Sequence, residues 1–492
     1  MELAYSVEQV RTAESAVLAR VPDGALMAAA ARAVAGETLA LLGFGYGARV
    51  LLLVGAGDNG GDALFAGADL ARRGVAVTAL LMVPDRAHPT GLAAFRAAGG
   101  RTVAAGDLTS VREAARPDAI VDGLVGIGAS GPLREHFRPA VELAAELGSP
   151  VISVDIPSGV DPDTGDVPDG APAIRADVTV CPGAWKPGLL VGAGRQHAGR
   201  VVLVDLGLRP ELVDVPPALR RLGDDDVAGL LPRPHPGDDK YTRGVVGVVA
   251  GSAEYPGAAQ LAVGSARISG VGAVRYAGYA ATEVSRRFAD VLVTDTVTLA
   301  GRVQAWAVGP GLGSDEHARA SLRAVLAADV PVVVDADGLN LLAKERDLLA
   351  ARATAGHPTV LTPHDREFER LFGEIGADRA GAARRAADES GATVLLKGYS
   401  TVVAEPGGRS ARTFANGTGV ADLATAGSGD VLTGLIGGLL ASGLEPVLAA
   451  AVGAHLHGRA GERASEQGPV TAPDVVDALR SVIGDLRAHG AV

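Results

Sequence analysis

Short runs that are apolar at nearly every position, many ending in glycine or an acid, punctuate this chain. Stretches with helical spacing separate many of them. Residues 49–55, 75–82, 119–122, 150–155, 176–181 and 199–204 form one series of such runs. A run of this kind predicts a strand buried on both faces, the habit of parallel sheets. Residues 7–43, which precede the series, carry helical spacing. A second series comprises 244–250, 302–308, 330–335, 359–362 and 393–397, with helices expected at 431–441 and 447–464. The alternation predicts βαβ units with right-handed crossovers and mostly parallel sheets, an α/β fold. Residues 210–226 break the pattern with Pro216-Pro217 and Asp224-Asp225-Asp226, so a linker is expected there. It divides the chain into domains at 1–215 and 222–492.

Composition narrows the class. The chain has 492 residues, 48% of them hydrophobic, so large cores can be buried. Its 67 glycines gather at the ends of apolar runs, where tight turns follow parallel strands. A net charge of −12 and 3% aromatics argue against a basic, stacking surface for nucleic acid. The single cysteine, Cys181, excludes an intrachain disulfide and any cysteine-cluster zinc site. The N-terminus lacks the basic and apolar regions of a signal peptide. No charge-free apolar run of about 18 residues suggests a membrane span. A cytoplasmic protein with no membrane partner is expected.

The segment 424–434 reads Ala-Thr-Ala-Gly-Ser-Gly-Asp-Val-Leu-Thr-Gly and carries the sharpest chemical signal. Small residues lead to Asp430, and an apolar helical pattern starts at once. Bare N–H groups and the dipole at a helix start favour an anion, most often a phosphate. A carboxylate beside a phosphate has a use as the base that takes a hydroxyl proton during phosphoryl transfer. A plain helix cap is the alternative.

In the first half, Gly55-Ala56-Gly57-Asp58-Asn59-Gly60-Gly61-Asp62 follows a strand and precedes a helix. Asp122 ends another strand ahead of a glycine-rich turn, and Asp155 ends a third ahead of Ile156-Pro157-Ser158-Gly159. Ligands of open parallel sheets bind outside the carboxyl ends of strands. Oxygen-bearing Asn59, Asp122 and Ser158 can hold a hard cation. Each acid taken singly can also be a helix cap.

These motifs resemble the NAD(P)H-hydrate epimerase family, and the second half resembles its usual fused partner, the ADP-dependent NAD(P)H-hydrate dehydratases. The resemblance covers nearly the whole chain. It implies a Rossmann-like three-layer αβα domain followed by a ribokinase-like αβα domain. It implies substrate contacts from Asp58, Asn59, Gly60, Gly61 and Asp62, and from Gly126, Ile127, Gly128, Ala129, Ser130, Gly131 and Pro132. Asp155 would be the acid/base at C6 of the hydrated ring, and Asn59, Asp122 and Ser158 would bind potassium. The family has Asn where Asp58 stands, which adds a charge near that cation.

In the second half the resemblance implies substrate contacts from Ala258, Gly313, His364 and Asp430. The nucleotide would meet Lys397, Gly398, Tyr399, Ser400, Thr401 and Gly429. Read alone, His364 is equally a surface residue and Lys397 a solvated strand end. Ala426 replaces a family glycine and fits if its φ is negative. Asp430 would be the catalytic base, ADP the co-substrate and magnesium its companion. A homo-oligomer is expected. Two alternatives remain: a ribokinase-type kinase of a small alcohol with a binding-only first domain, and a nucleotide-binding scaffold with dead sites.

Overall fold

The computed structural model describes residues 1–128 and 131–489. The chain divides into two compact units, Leu3–Leu219 and a larger one from Arg220 onward that includes Met1–Glu2.

The smaller unit is built on seven parallel strands. Their spatial order is Arg101–Ala104, Ala76–Leu81, Arg49–Val54, Ala119–Gly123, Val151–Val154, Val178–Pro182 and Arg200–Val204. Alternate residues of Arg49–Val54 serve opposite faces. Val50, Leu52 and Val54 pack with Val34 of helix Ala25–Leu42 and Leu64 of helix Asp58–Arg72. Leu51 and Leu53 pack with Phe137, Ala140 and Leu143 on the other side. A strand covered on both faces must be apolar throughout, which is why this one is. Chain order reverses between Arg49–Val54 and Ala119–Gly123. At such a reversal the loops diverge to opposite faces and leave a crevice at the carboxyl ends. Helix Ala25–Leu42 is long and apolar enough to cross a bilayer, but it carries Arg32 and Glu37 and buries Ala30, Ala31, Val34 and Ala35.

The larger unit carries an eleven-stranded sheet. Its central run, Thr393–Leu396, Thr359–Leu361, Val332–Val334, Ala305–Val308, Val245–Val249, Ala273–Ala277, Leu292–Thr294, is parallel. Val402–Ala404 and Thr413–Ala415 extend it antiparallel. Most of these strands are buried at every position, so helices cover both faces in αβα layering. Helix Ser428–Ala441 is buried nearly all round. It packs on helix Pro256–Ile268 so closely that a Cβ at Gly434 would lie 1.9 Å from the Ala262 carbonyl oxygen.

The two units divide between Leu219 and Arg220, inside the region expected as linker, which holds a short helix, Arg209–Leu212, and a strand, Leu219–Arg221, that pairs with Thr413–Ala415. Its prolines and acids mark local turns, while Leu219 is buried in the sheet. Beyond the helices expected from the sequence, the structure adds helix Ala472–His489, where Pro473 stands in the first turn, a position proline tolerates.

Candidate functional sites

The crevice of the smaller unit encloses about 680 Å³. Helix Asp58–Arg72 starts on its wall. The residue before the helix, Gly57, has φ 84° and no side chain to cap the first N–H groups. The glycines here are set by close approach. A Cβ at Gly60 would lie 2.5 Å from the Gly55 carbonyl oxygen, and one at Gly126 would lie 2.8 Å from Asp155 Oδ2 and 2.9 Å from Asn59 Oδ1. Gly128, Gly131 and Pro132 line the same cavity. Ala129 and Ser130 lie outside the described residues.

Asp155 follows strand Val151–Val154 with φ 72°, a left-handed conformation that costs a non-glycine residue about 1–2 kcal/mol. Its side chain is held at both oxygens. Oδ2 accepts the Ile127 N–H at 2.8 Å, and Oδ1 lies 2.6 Å from Lys186 Nζ. Lys186 is fully buried and also donates to the Pro182 carbonyl at 2.8 Å. Burial opposes its charge, but Asp155, Cys181 and Glu14 together outweigh that and raise its pKa. Lys186 was missed in the sequence, where only a Lys-Pro-Gly turn after a strand hinted at it.

Asp62 sits one turn into the helix. Burial, then the charges of Asp155, Asp58 and Glu14, push its carboxyl well above the usual range. Its Oδ1 is buried without a partner, as is Asn59 Nδ2. Asp58 therefore acts on this group, a consequence of the charge added at that position.

Asp122 and Ser158 do come together. Ser158 Oγ donates to Asp122 Oδ1 at 2.6 Å, and the Ser158 N–H and Ser153 Oγ donate to Oδ2 at 2.9 and 2.8 Å. Burial raises the Asp122 pKa, hydrogen bonds lower it in part, and no cationic side chain among the described residues answers its charge. An anion so placed, among neutral oxygens, suits a monovalent or weakly held hard cation.

In the larger unit, four strand ends converge. Gly427 precedes helix Ser428–Ala441 with φ 86° and offers no side-chain cap; the Ser428 N–H turns back to the Thr425 carbonyl at 3.3 Å. Ala426 is absent from the positive-φ residues, as its alanine requires. Asp430, in the first turn, accepts no hydrogen bond from the described residues and is not a cap. Burial, then Asp335, raises its pKa to about 7, against a lowering by Lys397.

Lys397 is no solvated strand end. Its Nζ lies 2.7 Å from Asp335 Oδ1, and Thr433 Oγ1 donates to Asp335 Oδ2 at 2.6 Å. A Cβ at Gly429 would stand 3.4 Å from that ammonium. The turn 397–401 is pinned by Arg379, which donates to the carbonyls of Ser400 and Lys397. Within it the Gly398 N–H donates to Thr401 Oγ1, and Tyr399 is exposed.

Ala258 and Gly313 meet around one loop. A Cβ at Gly311 would lie 2.7 Å from the Ala258 methyl, and the Gly313 N–H donates to Asp337 Oδ2 at 2.9 Å. His364 holds its own helix in place, since its Nδ1 caps Asp365–Phe372 by accepting the Glu367 N–H. Its side chain remains half exposed. His457, unmarked in the sequence, supports the anion turn. Its Nε2 lies 3.0 Å from the Ser428 carbonyl and 3.1 Å from its hydroxyl, and burial lowers its pKa to about 4.

Comparison with known proteins finds a different family model in each unit. Residues 246–480 match the family model for NAD(P)H-hydrate dehydratase, and residues 23–188 match that for the YjeF-related protein N-terminus. The chain is 50% identical over 454 residues to the bifunctional NAD(P)H-hydrate repair enzyme of Mycobacterium tuberculosis, covering 91% of each. It is 47% identical over 476 residues to the enzyme of the same name from Mycobacterium leprae, covering 95% of this chain and 96% of that one. Among solved structures, an ADP/ATP-dependent NAD(P)H-hydrate dehydratase from Bacillus subtilis is similar at 28% identity and a TM-score of 0.47. That likeness covers 55% of this chain and 99% of the other.

Proposed function

The chain belongs to the bifunctional NAD(P)H-hydrate repair enzymes, and we propose how its residues divide the work. The first unit epimerises the hydrated nicotinamide at C6; the second dehydrates the S form to NAD(P)H with ADP, giving AMP and phosphate. The observation that carries the second assignment is Asp430, a carboxylate with a pKa near 7 in the first turn of an uncapped helix.

In the dehydratase unit Asp430 takes the proton of the C6 hydroxyl, whose oxygen attacks the terminal phosphorus of ADP. AMP departs, and the hydroxyl oxygen now carries phosphate, a far better leaving group than hydroxide. The lone pair of the ring nitrogen expels phosphate, and loss of a ring proton restores the reduced ring. The N–H groups of Gly427 and Gly429 receive the charge in transfer, while that of Ser428 donates to the Thr425 carbonyl. Lys397, fixed by Asp335, places a positive charge at the edge of that turn. Ala258 and Gly313 leave room for the substrate ring, and His364 touches it from the rim. The turn 397–401 holds the nucleotide. Among the described residues no group of three or more His, Cys, Asp or Glu side chains is arranged to hold a metal alone. That fits a magnesium ion brought on the nucleotide, where it shields the phosphate charges.

In the epimerase unit Asp155 moves the proton at the reacting centre, and Lys186 and the Ile127 N–H fix its two oxygens. Residues 58–62 and 126–132 hold the substrate across the crevice. Asn59, Asp122 and Ser158 would hold potassium, which would neutralise Asp122 and bring positive potential to the crevice. The protein works as a cytoplasmic homo-oligomer, a point for light scattering to test. A small-alcohol kinase would leave this first crevice without a use, and no observation favours it.

The test is recovery of reduced-nicotinamide absorbance from mixed R and S NADH-hydrate with ADP and magnesium. Complete recovery, faster than spontaneous epimerisation, is expected. Recovery of the S fraction alone would overturn the epimerase roles, and none at all would overturn both.

A further inference from the structure

A second cavity, of about 570 Å³, adjoins the crevice of the smaller unit, and Gly24 and Met27 stand on the walls of both. One helix runs along the pair. On Asp58–Arg72, residues Asp62, Phe65 and Asp69 are spaced i, i+3 and i+7 and so form one stripe. Asp62 lines the first cavity, whereas Phe65 and Asp69 line the second.

Gly61 stands at the partition. A Cβ there would lie 2.9 Å from the His88 ring and 3.2 Å from Met27 Cε. The His88 ring is fixed, because its Nδ1 accepts the Gly91 N–H at 3.2 Å. It stands edge-on to Phe65 with centroids 5.9 Å apart. Across the cavity Arg32 is exposed and forms no ion pair with any described residue. Asp69 is already matched by Arg72 at 2.7 Å. The second cavity thus offers an aromatic pair and one uncommitted guanidinium, next to the site where the ring would react.

The substrate has two nucleotide halves, and only one carries the hydrated ring. With that ring at Asp155, the other half must extend beyond the first cavity. A flat purine is suited to an aromatic pair, and a guanidinium to a phosphate monoester. We propose that the second cavity binds the adenosine half of the hydrated dinucleotide, with its base against Phe65 and His88. Arg32 meets the 2′-phosphate of the NADPH form. The inference rests on the epimerase reading of the first crevice.

The experiment uses the full chain without ADP, so that only epimerisation proceeds, and follows the epimers by chromatography. Three R substrates are compared: NADPH-hydrate, NADH-hydrate and the hydrate of reduced nicotinamide mononucleotide. Arg32→Gln should raise KM for NADPH-hydrate about tenfold and leave NADH-hydrate within about twofold. Ala28→Trp fills the cavity from an exposed helical position, so the fold is retained. It should raise KM for both dinucleotides about tenfold and spare the mononucleotide. Unchanged KM for the dinucleotides in both variants overturns the subsite, as does an equal change for the mononucleotide. A wild-type chain that epimerises none of the three overturns the epimerase reading and the subsite together.

Discussion

Asp430 and Asp155 are both carboxylates near a lysine, Lys397 partly buried and Lys186 fully so, yet their partners give them different characters. Lys186 bonds Asp155 directly, whereas Lys397 is taken by Asp335, which leaves Asp430 beside a second negative charge. Burial and that charge raise the Asp430 pKa to about 7, so it ionises near neutrality. The dehydratase rate should therefore fall about tenfold per pH unit below that value, read from kcat/KM against pH. Asp430→Asn should lower kcat by about 10²-fold or more. Its stability changes in the opposite sense. A carboxyl with a raised folded pKa is a burden once ionised, so the variant should melt higher than the parent above about pH 7. Below the unfolded value of about 3.9 the difference should reach its limit in favour of the parent. Asp430 was legible in the sequence because its turn has a fixed anion geometry. Lys186 and Asp335 were not, because their roles depend on burial and on partners 31 and 62 residues away (186 − 155 and 397 − 335).

At the scale of elements, long apolar strands such as Arg49–Val54 were legible because burial on both faces admits no polar position. Strands of three residues, such as Leu292–Thr294, Val402–Ala404 and Thr413–Ala415, have too few positions to show a period, and only pairing reveals them. Close packing between elements was also hidden. A Cβ at Gly55 would lie 1.8 Å from the Leu124 carbonyl oxygen, so two neighbouring strand ends touch through backbone alone. Gly55→Ala should destabilise the smaller unit by about 1–3 kcal/mol or more, seen as an earlier urea transition with dehydratase activity retained. Helix Pro446–Ser465 carries a second check. His457 bonds the first residue of the anion turn, and its pKa is lowered from 6.5 to about 4. A depressed histidine gives stability above its unfolded pKa and loses it as pH falls toward the folded one. The parent should lose melting temperature between pH 6.5 and about 4 more steeply than His457→Gln.

For the whole molecule, the proposed roles give each unit its own carboxylate, Asp155 in one and Asp430 in the other. A mixture of Asp155→Asn and Asp430→Asn chains should therefore convert R-hydrate to the reduced cofactor faster than spontaneous epimerisation allows. Absorbance recovery checks this; a mixture no faster than Asp155→Asn alone would mean the hydrate passes within a single chain. The division into two α/β units was legible from the two series of apolar runs. The chain's path between them was not, since Leu219–Arg221 is only three residues long, lies between Pro216-Pro217 and Asp224-Asp225-Asp226, and yet enters a sheet. The left-handed Asp155 and its buried ammonium also bear on how such a chain ages over generations. Replacing Asp155 by glycine relieves the backbone but strands Lys186, at a cost of about 3–5 kcal/mol. Replacing both with apolar residues of similar bulk would remove that cost. Removing the pair without that cost thus needs two coordinated changes, the first of them harmful, so the pair acts as a ratchet against gradual decay.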